Sequence, residues 1–323
     1  MRAIQVSEYG DSDVLDVVER ETPEPGPGEV RIAVEAAGIN FADVMQRRGL
    51  YPGGPDTPYV PGMEAAGRID ATGEGIDLDE GDRVVAMLGG GGYAEYVTAD
   101  AQSIFPIPEG MGFEEAAGFP VQFLTAHNCL FEWGGLEADE RVLIQAAAGG
   151  VGTAAVQLAS NAGAEVFGTA STQEKLDFAA ELGCDHPIQY TEVDFREVVD
   201  EETHGAGVDL VLESVGDDVF DRSLDALGHF GRLVTYGVAS GVPASAENRR
   251  LLFENKRVVG FHLGQAIAHD PGRVLAAVPE LTAALAEGEL EVIVRETFAL
   301  ADAADAHQFI EDRESHGKVV LVP

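Results

Sequence analysis

The stretch Arg141-Val-Leu-Ile-Gln-Ala-Ala-Ala-Gly-Gly-Val-Gly-Thr-Ala-Ala-Val-Gln-Leu-Ala159 constrains the fold more than any other part of the chain. Val142 to Ile144 is a short apolar run of the kind a parallel strand needs when both its faces are buried. Ala147-Ala-Gly-Gly-Val-Gly152 makes a tight turn, and beyond it Val151, Ala155, Val156, Leu158 and Ala159 recur at helical spacing. Strand, glycine turn and helix together form the first unit of a dinucleotide-binding fold, its helix N-terminus aimed at a pyrophosphate. In that reading Ala148, Gly149, Gly150 and Val151 lie along the phosphates, and Gly152 lets helix and strand pack closely. Ala147 stands where the usual pattern has its first glycine. A glycine turn alone fits an ordinary strand-to-helix connection equally well.

At 323 residues the chain has room for two ordinary domains and an ample core. Its net charge of −37 comes from acid spread along the whole sequence. Lysine occurs only at positions 175, 256 and 318. Hydrophobic content of 45% argues against disorder, so the acid reads as a hydrated surface suited to molar salt, the halophile pattern. Such a chain is a poor candidate for nucleic acid or anionic membranes. Cys129 and Cys184 build neither a four-cysteine zinc site nor a disulfide framework. With no signal-peptide pattern and no apolar run near the ~20 residues of a membrane helix, a cytoplasmic protein is expected.

Residues 1 to about 120 read as mostly β, with short apolar runs between Gly, Pro and Asp clusters. Ala42 to Arg48 fits a short helix. From about 123 the texture alternates. Strands are expected at 142–145, 165–169, 208–212, 231–237 and 257–261, with helices starting near 151, 173, 194 and 217. This is an α/β pattern with a doubly wound parallel sheet. A helical segment from Val274 to Glu287 and a strand over Gly317-Lys-Val-Val-Leu-Val322 look like a return to the first domain.

Several segments match one family in order: Gly38-Ile-Asn-Phe-Ala-Asp43, Arg48-Gly-Leu-Tyr-Pro52, Pro61-Gly-Met-Glu-Ala-Ala-Gly67, Gly81-Asp-Arg-Val84, Gly92-Tyr-Ala-Glu-Tyr96, Ala147 to Gly152 and Gly317-Lys318. The chain resembles the medium-chain dehydrogenase/reductase superfamily, specifically its zinc-free quinone oxidoreductases. Gly168-Thr-Ala-Ser171, His186-Pro-Ile-Gln-Tyr190, Thr235-Tyr-Gly237 and Gly260-Phe-His-Leu-Gly264 look closest to the vesicle amine transport protein branch. The resemblance implies a GroES-like catalytic domain over 1–122 and 265–323, with a Rossmann nucleotide-binding domain over 123–264 between them. It places the active site in the cleft between the two.

Zinc-dependent relatives carry Cys and His ligands in this framework. The matching positions here are Asn40, Met63 and Val121, which implies no metal. For the nicotinamide, an NAD enzyme commonly carries an acid about 20 residues past the glycine turn. Thr169-Ala-Ser-Thr172 offers none, and Lys175 follows one turn into the next helix, where an ammonium meets a 2′-phosphate. NADPH-using members place a tyrosine at the position of Tyr190, so Ser171, Lys175 and Tyr190 are expected to hold that phosphate. Lys175 as a plain surface cation is the competing reading.

The resemblance also implies Thr125 near the carboxamide, and Tyr236, Gly237, Val238, Phe261 and Leu263 around the ring. Gly216 then lines the ribose and Lys318 reaches the pyrophosphate region. Asn40 and Tyr51 match polar residues of the quinone site, and either can polarise a carbonyl as charge builds on oxygen. A loop-capping Asn and a half-buried Tyr are the bland alternatives. Met45 departs from the tyrosine often found at its position, which leaves the acceptor open. Glu64 reads as a brace, His127 and His262 as structural, and Cys184 as inert.

The expectation is an NADPH-dependent reductase of quinones. Reduction of the activated C=C bond of an enone, or nucleotide binding with little turnover, are the alternatives. The family also implies a homodimer through an edge strand near Arg257 to Phe261.

Overall fold

Between Arg2 and Pro106 the regular structure is mostly strand, because apolar residues alternate there between turn-forming Gly, Pro and Asp. The computed structural model describes every residue from Met1 to Pro323. Seven strands come first: β1 (Arg2–Val6), β2 (Leu15–Glu19), β3 (Glu29–Ile39), β4 (Glu64–Thr72), β5 (Arg83–Met87), β6 (Tyr96–Asp100) and β7 (Ile104–Pro106). Helix α1 (Phe41–Arg47) lies between β3 and β4, and α2 (Phe113–Ala117) follows β7. The long strand β3 buries Val30, Ile32 and Val34 and turns the residues between them outward, the period of two expected of a one-sided sheet. It pairs antiparallel with both β4 and β6.

Strands and helices then alternate: α3 (Pro120–His127), β8 (Arg141–Ile144), α4 (Gly150–Asn161), β9 (Glu165–Ala170), α5 (Gln173–Glu181), β10 (His186–Gln189), α6 (Phe195–Glu202), β11 (Val208–Glu213), α7 (Asp217–Ala226), β12 (Leu227–Thr235), α8 (Asn248–Glu254) and β13 (Arg257–Gly260). These six strands form one sheet in the order β10-β9-β8-β11-β12-β13, every neighbouring pair parallel. The strand order reverses between β8 and β11, the switch point of a doubly wound fold. Val142, Leu143 and Ile144 in β8 and Leu210, Val211 and Leu212 in β11 are fully buried. Each such side chain contributes roughly 1.5–3 kcal/mol by leaving water. The α/β reading therefore holds. The strand-like segment that ends at Tyr190 is β10, short because His186 and Pro187 break its apolar run.

Three helices follow, α9 (Leu263–His269), α10 (Pro271–Leu275) and α11 (Val278–Glu287), and the chain closes with β14 (Val294–Ala299), α12 (Ala303–Glu311) and β15 (Lys318–Val322). β15 pairs antiparallel with β3 and parallel with β14, completing the seven-stranded sheet. Two compact units result, Met1–Val121 with Leu285–Pro323, and Gln122–Ala284.

Residues 265–284, which the sequence reading assigns to the first domain, belong to the second unit. The physical reason is local. Val274 is fully buried, and its carbonyl accepts from Asn128 Nδ2 at 3.2 Å. Arg273 meets Glu132 at 2.6 Å and lies 4.2 Å from the Trp133 ring centroid. The helix expected over Val274–Glu287 is two helices, α10 and α11.

Candidate active site

In the second unit the residues expected to hold a nucleotide collect where the strands end. Gly149 is the N-cap of α4, in extended conformation, and Gly150 opens the helix. A Cβ on Gly152 would lie 2.1 Å from the Ala146 carbonyl oxygen, so only glycine lets α4 start this close to β8. Ala147 is buried and its N–H donates to Thr169 O at 2.9 Å, which ties the turn to the end of β9. The first glycine of the usual pattern is dispensable because this side chain faces the interior.

Ser171 follows β9, and Tyr190 follows β10, its N–H donating to Ala170 O at 3.2 Å. Lys175 stands in the first turn of α5, with its N–H on the Thr172 side chain that caps the helix. Ser171, Lys175 and Tyr190 therefore share one end of the sheet. Gly216, at φ +79°, caps α7 and donates to Glu213 Oε1 at 2.8 Å. Tyr236 and Val238 follow β12, and Phe261 and Leu263 follow β13. Burial pushes the Tyr236 phenol up, so it stays protonated, and Ser214 is its hydrogen-bond partner. Phe261 is buried edge-on against Trp133 at 4.8 Å. Thr125 is buried within α3.

Cys184 packs under β9, where a Cβ on Gly168 would touch its sulfur at 2.7 Å. Burial pushes its thiol up to about 12, so it carries no thiolate at neutral pH. His127 lies 4.9 Å from the Phe131 ring, and burial lowers its pKa.

In the first unit, Asn40 occupies the N-cap position of α1 but makes no side-chain cap bond. Asparagine is among the best capping residues, so this amide has been diverted. Its Nδ2 donates to Glu64 Oε1 at 2.9 Å, and its Oδ1 accepts from Lys318 Nζ at 2.8 Å. Lys318 also pairs with Glu64, and both are buried. The other Glu64 oxygen accepts from Val121 N–H at 2.8 Å. The expected contact of Lys318 with a pyrophosphate is corrected here. Its ammonium is turned inward to the one carboxylate that neutralises it, since an unpaired charge at 2% exposure would be costly. Tyr51 lies four residues beyond the end of α1, half-buried, and its phenol is held above its ordinary value by burial and by the charge of Asp43.

Sequence reasoning missed a second set of buried polar groups beside this one. Asp43 is fully buried, accepts from Asn40 N–H at 2.8 Å and from Tyr93 Oη at 3.2 Å, and takes Gly62 N–H at 3.3 Å. Tyr93 Oη also lies 3.2 Å from His307 Nε2. Burial raises the Asp43 carboxyl to about 6 against hydrogen bonds that lower it. Burial and the nearby Arg47 charge lower His307 to about 3, so its ring is neutral. Arg47, fully buried, pairs with Glu311 at 2.6 Å. The one available signal was charge in a strongly apolar setting, at Asp43 and Arg47 within the pattern of α1.

Two family profiles match the chain: the alcohol dehydrogenase GroES-like domain over residues 26–109 and zinc-binding dehydrogenase over 150–281. The quinone oxidoreductase of Escherichia coli, solved in complex with NADPH, is 34% identical, superposes with a TM-score of 0.94, and matches over 100% of both chains. This chain belongs to the quinone oxidoreductases of the medium-chain dehydrogenase/reductase superfamily. Within the family it is also 35% identical to the human synaptic vesicle membrane protein VAT-1 homologue, over 100% of this chain and 86% of that protein. A third relative, the CurK enoyl reductase structure, is 32% identical with a TM-score of 0.90, covering 99% of this chain and 98% of its own.

Zinc does not suit the residues of this quinone oxidoreductase. The ligand positions hold Asn40, Met63 and Val121, an amide, a thioether and a hydrocarbon. The amide oxygen is already taken by the Lys318 ammonium, whose charge would oppose a dication. The residues do not fit zinc. No helix is long and apolar enough to cross a membrane.

Proposed function

We propose that this chain is a zinc-independent, NADPH-dependent reductase whose acceptor is a quinone. NADPH, when bound, supplies a hydride. The protein's part is to hold cofactor and acceptor and to stabilise charge on the acceptor oxygen. The N-terminus of α4, with Ala148, Gly149, Gly150 and Val151, suits the pyrophosphate. Ser171, Lys175 and Tyr190 suit the 2′-phosphate, and no acid at the end of β9 competes for the ribose hydroxyl. Thr125, Gly216, Tyr236, Val238, Phe261 and Leu263 are assigned to the ribose and nicotinamide. Asn40 and Tyr51 are assigned to the acceptor as hydrogen-bond donors.

The observation that carries this reading is the Asn40 amide. It is half-buried, fixed by two charged partners, and has one N–H left beyond the bond to Glu64. A neutral donor of this kind is sufficient for a quinone, whose reduced oxyanion is aromatic and stabilised, so no zinc or Ser-His relay is required. The likeness to an enoyl reductase favours one second reading, reduction of the activated C=C bond of an enone. A panel of quinones and enones with NADPH separates them. Turnover of quinones supports the first, turnover of enones alone the second, and tight NADPH binding with no turnover of either leaves a nucleotide-binding role.

β10 and β13 are the two edges of the six-stranded sheet, and the exposed Leu252 and Phe253 of α8 precede β13. Of the two, β13 is the edge the family expectation names. We assign a homodimer to this edge, with strand pairing across it. Light scattering in molar KCl should give twice the chain mass, and a monomer mass would overturn the assignment. Buried, unpaired Cys129 and Cys184 suit a reducing, cytoplasmic setting.

A further inference from the structure

We infer that Glu64 and Lys318 are positioning residues that fix the orientation of the Asn40 amide, so that it always presents N–H and never C=O to the acceptor. The inference rests on the reading of Asn40 as an acceptor-facing donor. Its warrant is the chemistry of the two partners. An ammonium can only donate, and an ionised carboxylate can only accept. With Lys318 Nζ at 2.8 Å from Oδ1 and Glu64 Oε1 at 2.9 Å from Nδ2, one amide orientation is allowed. The flipped amide would set NH2 against NH3⁺ and carbonyl against carboxylate, which loses two charge-assisted bonds at once.

The surrounding backbone is shaped for this pair. A Cβ on Gly38 would lie 2.8 Å from both Glu64 Oε1 and Lys318 Cε, and 2.2 Å from Ala117 O. A Cβ on Gly118 would lie 3.0 Å from Lys318 Cγ. The Lys318 stem therefore runs between two glycines from separate segments, and either side chain would displace it. The backbone end of Asn40 is held independently, by Asp43 Oδ2 on its N–H at 2.8 Å. The residue is thus clamped at both ends, with its remaining amide hydrogen as the group not committed to the fold.

A double-mutant cycle in the full-length protein tests this. Asn40→Ala, Lys318→Met and the pair are compared by kcat and KM for 1,4-benzoquinone, with NADPH affinity followed by fluorescence. Lys318→Met should lower kcat on the order of tenfold, leave NADPH affinity within about twofold, and have no further effect once Asn40 is alanine. Equal losses in both backgrounds would overturn the inference while leaving the acceptor role of Asn40 standing. A parallel fall in NADPH affinity would also overturn it, because the ammonium would then serve the cofactor. If Asn40→Ala is as fast as the parent, the acceptor reading falls and the inference with it. Should Lys318→Met fail to fold, Lys318→Met with Glu64→Gln removes both buried charges together. That pair should show the same loss of kcat and the same dependence on Asn40, and additive losses would again refute the inference.

Discussion

Tyr93 donates its phenolic hydrogen bond to Asp43 across 3.2 Å, with both side chains wholly shielded from solvent. His307 stands at the same distance on the other side of the phenol. Three titratable groups from three distant segments thus share one dry site, and their shifts make stability depend on pH.

Asp43 has a folded pKa of about 6, above its usual 3.8, chiefly through burial. The folded state therefore binds more protons than the unfolded state between these values. Stability from this group is fully present below about pH 4 and is lost as pH rises through 6. Asp43→Asn should remove that slope, on the order of 3 kcal/mol over the window. Urea melts of parent and variant from pH 4 to 7 measure the difference. A difference constant with pH would show that Asp43 does not titrate there.

His307 works in the opposite sense. Its folded pKa of about 3 lies below the usual 6.5, so the unfolded state takes the proton first as pH falls. Stability from the neutral ring is present above 6.5 and lost towards pH 3. His307→Gln should flatten the stability curve below about pH 4, where Asp43 no longer titrates and the ring alone sets the slope. In the parent the two slopes oppose each other between about pH 4 and 6, so each single variant should show a steeper pH dependence there than the parent. If His307→Gln destabilises equally at pH 4 and pH 7, the ring is not the group responsible.

If Lys175 holds the 2′-phosphate as proposed, Lys175→Ala should weaken NADPH binding about tenfold or more and leave NADH within twofold. Titration calorimetry with both nucleotides reads this directly. Equal losses would return Lys175 to the helix surface.

The net charge of −37 predicts a strong response to salt. Raising KCl from 0.1 M to molar levels shortens the screening length from about 10 Å to about 3 Å, which relieves self-repulsion. The melting temperature should rise more with KCl than with an equal osmolarity of a neutral solute, which stabilises without screening charge. A flat response would remove the halophile reading.

The nucleotide-binding unit was legible because its signals are local. β8, its glycine turn and α4 lie within 21 consecutive residues, and each central strand is an apolar run bounded by turn residues. What escaped was non-local. Asp43, Tyr93 and His307 carry no common period, and only the closing of β15 on β3 brings residue 318 to residue 40. The direction of Lys318 followed from a buried carboxylate needing a counter-charge, which Glu64 announces only once its burial is known. Asn40 was recognised as polar and placed near an acceptor, yet its cap position with an unused cap bond is visible only in three dimensions. The 265–284 helices were misassigned because their docking residues, Glu132, Trp133 and Asn128, lie about 140 residues upstream.

The central claim is most directly tested by the initial rate of NADPH oxidation with 1,4-benzoquinone in molar KCl, with NADH run beside it. The account predicts enzyme-dependent consumption with kcat/KM at least about tenfold higher for NADPH, the scale of one charge-assisted phosphate contact. No consumption while NADPH still binds, or equal rates with NADH, would contradict it.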